Sequence, residues 1–124
     1  MMQTTDLVHD YLAAWNETDL ALRRAAVQRL YAANGRIVTA SVDAHGIEDV
    51  LGHVDRVVAG FIGPDKYRFR QAGVAMHHDC VLLRWEMITA DSAQVADWGV
   101  NTLVLDADGR VVADYQFVAP AWAA

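Results

Sequence analysis

Three apolar segments at helical spacing, followed by four long segments whose apolar residues alternate, predict an α+β domain. The period changes from 3.6 to 2 at Gly63-Pro64, after which turn residues separate consecutive β-prone runs. The expected architecture is three N-terminal helices packed on a strongly curved, mainly antiparallel sheet. Runs of about 13 residues are long for strands in so small a domain, so the sheet must bend over the helices. A bent sheet closed by helices makes a cone-shaped pocket open at one end, a shape that takes ligands.

The elements follow in order. Leu7, Val8, Tyr11, Leu12 and Trp15 define a helix over 6–16, with Asp6 expected as its N-cap. Thr18 and Asp19 supply a break and a second cap. A second helix is expected from Leu20 to Ala33, with Leu22, Ala26, Val27, Leu30 and Tyr31 on its apolar side and Asn34-Gly35 ending it. Arg36–Ala40 reads as a short strand and Ser41–Gly46 as a polar connection. A third helix spans Ile47–Phe61 on the stripe Ile47, Val50, Leu51, Val54, Val57, Val58 and Phe61; His53 lies off that stripe and is expected to be exposed. Strands are expected at 66–74, 77–89, 93–105 and 110–118, with Asp91-Ser92 and Asp106-Ala107-Asp108-Gly109 as hairpin turns.

With 124 residues, the chain fits one domain, 1–124. It is 54% hydrophobic, which excludes disorder, while a mean hydropathy of +0.11 with scattered charges argues against a membrane-integral chain. A net charge of −6 argues against a nucleic-acid surface. One cysteine rules out an internal disulfide framework and a four-thiolate zinc site. The first residues lack the basic and apolar regions of a signal peptide, so a cytoplasmic location is expected. His77-His78-Asp79-Cys80 is not read as a metal site, because neighbouring strand residues point to opposite faces. His77 is instead taken as a polar part of the pocket wall, and Arg84 and Glu86 as an exposed ion pair.

Several stretches together resemble the nuclear transport factor 2-like superfamily (the cystatin-like α+β cone), and within it the SnoaL-like polyketide cyclase group. They are Tyr11-Leu12-Ala13-Ala14-Trp15-Asn16, Gly35-Arg36-Ile37-Val38, His45-Gly46-Ile47-Glu48, His77-His78-Asp79, Arg84-Trp85-Glu86 and Asp108-Gly109-Arg110-Val111-Val112. The superfamily houses isomerases, cyclases, hydrolases and non-catalytic modules, so the fold leaves function open. The resemblance to ketosteroid isomerase places Asn101 and Tyr11 where that enzyme keeps its oxyanion donors. The position of its base aspartate falls here on Ala40. The resemblance to the SnoaL-like cyclases, which act without a metal or cofactor, implies Asp114 as acid and base. Asp97 is a second candidate, and two carboxylates at a pocket mouth can divide the acid and base roles. The paired-aspartate water activation of limonene epoxide hydrolases needs an arginine that neither neighbouring strand offers at inward parity.

The expected catalytic set is therefore Asp114, Asp97, Tyr11 and Asn101. Trp15, Phe69, Gln71, Trp85, Gln116, Val118 and His77 complete the expected wall around a small apolar molecule bearing a carbonyl. Trp98, Val100, Tyr115 and Phe117 fall on the opposite sheet face, which is expected to be covered in a homodimer. The other expectation is a non-catalytic ligand-binding or dimerisation module of the same fold.

Overall fold

The computed structural model describes residues 4–120. Helix α1 runs over Thr4–Asn16, α2 over Leu20–Leu30 and α3 over Ile47–Phe61. Strands β1 (Tyr31–Val38) and β2 (Asp43–His45) lie between α2 and α3, and β3 (Tyr67–His77), β4 (Cys80–Thr89), β5 (Val95–Leu105) and β6 (Val111–Val118) follow. One sheet results, in the order β2-β1-β6-β5-β4-β3. Every pairing is antiparallel except β1 with β6, which is parallel. The α+β class, the three helices and the mainly antiparallel sheet are as the sequence predicts.

The helices bury one face each. Leu7, Val8, Tyr11, Ala14 and Trp15 of α1 and Val50, Leu51, Val54 and Val58 of α3 pack on Val81, Leu83, Leu103 and Val111 of the sheet. Side chains at i, i+3 and i+4 share a helix face, and every second strand residue points inward, so two periodicities meet in one core. Bulges at Gln71–Gly73, Met87–Ile88 and Val104–Leu105 interrupt the long hairpins and add to the curvature.

Five local expectations are corrected. Asp6 is not an N-cap: α1 has already begun at Thr4, and the carboxylate sits in the first turn, where the helix dipole favours it. Helix α2 stops at Leu30 instead of Ala33, and Tyr31 opens β1 directly. Asn34-Gly35 is therefore not a helix stop but part of an irregular stretch, with five positions of β1 passing two of β6 between the Tyr31 and Arg36 pairs. A Cβ on Gly35 would sit 2.9 Å from the Ala32 carbonyl oxygen, so a close backbone approach explains the glycine better than a turn. Leu22 is 60% exposed rather than part of the apolar side; Arg23 takes the buried position next to it. Asp19 does cap α2, its Oδ1 accepting from Leu22 N at 3.0 Å. The connection after β1 holds the short strand β2, and the break expected at 75–76 falls instead at His78-Asp79, where His78 has φ +54°.

Arg23 is buried because Asp55 of α3 answers it: Nε donates to Oδ1 at 3.0 Å, Nη1 donates to the Glu17 carbonyl at 2.8 Å, and Arg24 holds the other carboxylate oxygen. On the outer sheet face Arg84 does not pair with Glu86. Arg70 does, at 2.8 Å, and Arg84 lies 4.2 Å over the Trp98 ring.

Candidate functional site

A cavity of about 340 Å³ lies between α1, α3 and the inner face of the sheet. Tyr11 and Trp15 reach it from α1, His53 and Val57 from α3, Phe69 from β3, Trp85 and Met87 from β4, Asp97 and Asn101 from β5, and Gln116 and Val118 from β6. Ser41, Phe61 and Val118 are exposed and form its rim.

One wall is aromatic. Phe69 stands edge-on to Trp15 (6.4 Å between centroids) and to Trp85 (5.3 Å), the favoured T-shaped arrangement. Asn16 holds Phe69 in place, since its amide donates to the Phe69 carbonyl at 2.8 Å and accepts from the Phe69 N–H at 2.7 Å. The end of α1 is thereby fastened to β3.

The floor is polar. Trp85 Nε1 donates to Asn101 Oδ1 at 2.9 Å. An indole N–H can only donate, so the amide oxygen must face it, and Nδ2 is turned to Tyr11 Oη at 2.8 Å. Tyr11 Oη also takes a longer bond from Gln116 Nε2, at 3.3 Å, and itself donates to Asp114 Oδ2 at 2.7 Å. Tyr31 donates to the same oxygen at 2.6 Å, and Gln116 Nε2 reaches it at 3.2 Å. Asp114 has no exposed surface, and its Oδ1 has no hydrogen-bond partner among the described residues.

Burial raises the Asp114 pKa to about 6, against the opposing pull of the hydrogen bonds from Tyr31, Tyr11 and Gln116. Both tyrosines are pushed well above their ordinary value, first by burial and then by the nearby Asp114 charge. They stay protonated and act as donors.

Of the residues expected at the site, Tyr11, Trp15, Phe69, Trp85, Asp97, Asn101, Gln116 and Val118 reach the cavity. Three placements differ. Asp114 points inward but is sealed behind Tyr11 and Gln116, so the two aspartates do not share the mouth. Gln71 lies at the β3 bulge on the sheet edge, exposed and outside the wall. His77 ends β3 at the exposed tip of the hairpin, stacked edge-on against His78, away from the cavity. Among the described residues no three His, Cys, Asp or Glu side chains converge as metal ligands.

His53 was not expected here. It is 7% exposed and lines the cavity, 6.1 Å from the Trp15 ring. Burial, reinforced by the Arg56 charge, lowers its pKa and keeps the imidazole neutral near pH 7. Its spacing does carry a signal: position 53 is three after Val50 and four before Val57, between two residues of the stripe.

Helices closing one face of a curved, open six-stranded sheet define the nuclear transport factor 2-like class. The profile of the SnoaL-like domain family matches residues 8–113, and the chain belongs to that family. Among solved structures it is similar to a SnoaL-like family protein from Agrobacterium tumefaciens described as a proposed isomerase. That likeness has a TM-score of 0.85 and 28% identity, over 97% of this chain and 100% of the other. A proposed SnoaL-like polyketide cyclase from Jannaschia sp. CCS1 shares the fold at 18% identity and TM-score 0.71, over 96% and 91% of the two chains. So does a protein of ketosteroid isomerase-like fold from Catenulispora acidiphila, at 18% identity and TM-score 0.68, over 93% and 86%. A search of curated proteins finds no match.

Proposed function

We propose that this protein binds a small, mainly apolar carbonyl compound and moves a proton on it without a cofactor, as an isomerase or aldol cyclase does. The observation that carries this reading is one hydrogen-bonded chain, Trp85–Asn101–Tyr11–Asp114, at the floor of an otherwise largely apolar cavity. A carbonyl oxygen seated there would accept from the second hydrogen of Asn101 Nδ2. As negative charge gathers on that oxygen, Tyr11 O–H swings to it from Asp114, whose Oδ2 keeps the bonds from Tyr31 and Gln116. Donors aimed at developing charge in a dry site are each worth about 3 kcal/mol of barrier. Asp97 is the carboxylate on the cavity wall, and Asp114 supports Tyr11 from behind. The family's proposed isomerase and cyclase members fit the same chemistry.

A second reading, a ligand-binding module without catalysis, is favoured by one fact: the Tyr11 proton is already engaged by Asp114. Thermal-shift screening with apolar ketones and lactones, followed by turnover assays, separates the two. Turnover lost in Asp114→Asn and Tyr11→Phe with the fold intact supports the enzyme. Binding without turnover, unchanged in Asp114→Asn, supports the module.

The proposal extends to a homodimer through the outer sheet face. Leu82, Tyr115 and Phe117 are exposed there beside Trp98 and Val100, and Val100 pairs with Phe117 across β5 and β6. A second copy laid on this face removes the apolar patch from water.

A further inference from the structure

We infer that His53 is the proton-accepting catalytic residue of this cavity, facing a ligand whose carbonyl oxygen sits on Tyr11 and Asn101. This rests on the carbonyl-polarising reading of the site. Three observations carry it. The imidazole is more than nine-tenths buried, lines the cavity, and makes no side-chain hydrogen bond to another described residue. Its ring nitrogens are not among the fully buried unpaired side-chain atoms, so they open on the cavity and meet whatever enters it. Trp15 supplies the spacing: the rings of Tyr11 and His53 each lie 6.1 Å from its own, so the two are within about 12 Å of each other across one indole. A ketone seated on Trp15 lies between the two, with its oxygen toward Tyr11 and an α carbon toward His53.

Asp97 is the competing base. Its Oδ1 already accepts the Trp98 N–H at 2.9 Å, and the residue is more exposed than His53. Burial and the Arg56 charge hold the His53 imidazole unprotonated near pH 7, so its ring is free to take a proton. The step balances without a co-reactant. The α C–H bond breaks, its proton goes to the free ring nitrogen of His53, and its electron pair forms the carbon–carbon double bond of an enolate. The enolate oxygen is held by Asn101 Nδ2 and Tyr11 Oη. The imidazolium then returns the proton to carbon, at the same or a conjugated position. The titratable groups sharing the cavity with His53 are Tyr11 of α1 and Asp97 of β5, and Arg56 follows on its own helix; β3, β4 and β6 present none.

The test is deuterium exchange of 2-tetralone, an apolar ketone with acidic α hydrogens, followed by proton NMR in D₂O. Wild-type protein should accelerate exchange, with a rate that rises with pH as the imidazole loses its proton, at a midpoint below the ordinary histidine value. His53→Gln should lose at least about 100-fold and that pH limb, while His9→Gln, on the exposed face of α1, keeps both. His53→Ala should recover activity when imidazole is added, a rescue that a merely structural role would not give, and thermal unfolding checks both variants. Exchange retained in the His53 variants but lost in Tyr11→Phe, or lost in Asp97→Asn alone, overturns the assignment and leaves the carbonyl reading standing. Wild-type protein that binds the ketone and does not exchange it overturns both.

Discussion

Tyr11 donates its phenolic proton to Asp114 at 2.7 Å, joining the first helix to the last strand across 103 residues of chain. The bond lies wholly inside the protein. It makes the cavity floor and the core one object, so that a change in either is felt in the other.

Tyr11→Phe removes that donor and the acceptor used by Asn101 and Gln116. Buried groups left unpaired should cost about 1–3 kcal/mol, measured by urea denaturation. Activity on apolar ketones should fall further than stability does, and a variant with unchanged activity would exclude Tyr11 as an oxyanion donor.

The Asp114 pKa rises from 3.8 to about 6 on folding, so the folded state holds an extra proton between those values. Stability then falls as pH rises through this window, because the native state binds more protons than the unfolded one. A shift of that size corresponds to about 3 kcal/mol. Asp114→Asn lacks this term. The stability difference, wild type minus variant, should therefore decline by an amount of that order from pH 4 to pH 7 in denaturant titrations. A constant difference would show that Asp114 titrates normally.

Gly99 makes room for Trp85. A Cβ there would collide with the indole and meet the Phe117 carbonyl oxygen at 2.7 Å. Gly99→Ala should destabilise by roughly 1–3 kcal/mol and displace the indole that orients Asn101. Altered Trp85 fluorescence in a folded variant would report the displacement.

Asp55→Ala leaves the buried guanidinium of Arg23 without its carboxylate. Bonds to charged groups are worth about 1.5–3 kcal/mol, so thermal unfolding should show a loss in that range or above. Arg24→Ala, whose side chain is half exposed, should cost less than about 1 kcal/mol.

Phe117→Glu together with Leu82→Glu puts charge on the outer sheet face. Sedimentation should give a dimer for the wild type at micromolar concentration and a monomer for the double variant. A wild type that is already monomeric would refute the proposed pairing.

Much of this was legible in the sequence because it depends on periodicity. The stripe Leu7, Tyr11, Trp15 and the alternation Asp97, Gly99, Asn101 placed side chains on the right faces without knowledge of distance. What periodicity does not carry is depth. Asp114 and Asn101 both point inward, yet one lies behind the cavity floor and the other in it, a difference set by how Tyr11 and Gln116 pack between. Polar residues on apolar stripes mislead in the same way: His53 reads as exposed because imidazole is polar, although its spacing already put it between Val50 and Val57. Asn34-Gly35 shows the converse, a sound turn signal outweighed by the close approach of the Ala32 carbonyl.

No residue separates Leu30, the end of α2, from Tyr31, the start of β1. That seam acts as a ruler. Tyr31 presents its hydroxyl to Asp114 from the first position of the strand, so a residue added or removed there must be absorbed by shifting α2 against the sheet or by drawing the ring off the acid. The hairpin turns at 90–94 and 106–110 carry no such duty. Length changes in a redesigned chain therefore belong in those turns, and the join between helix and strand tolerates none.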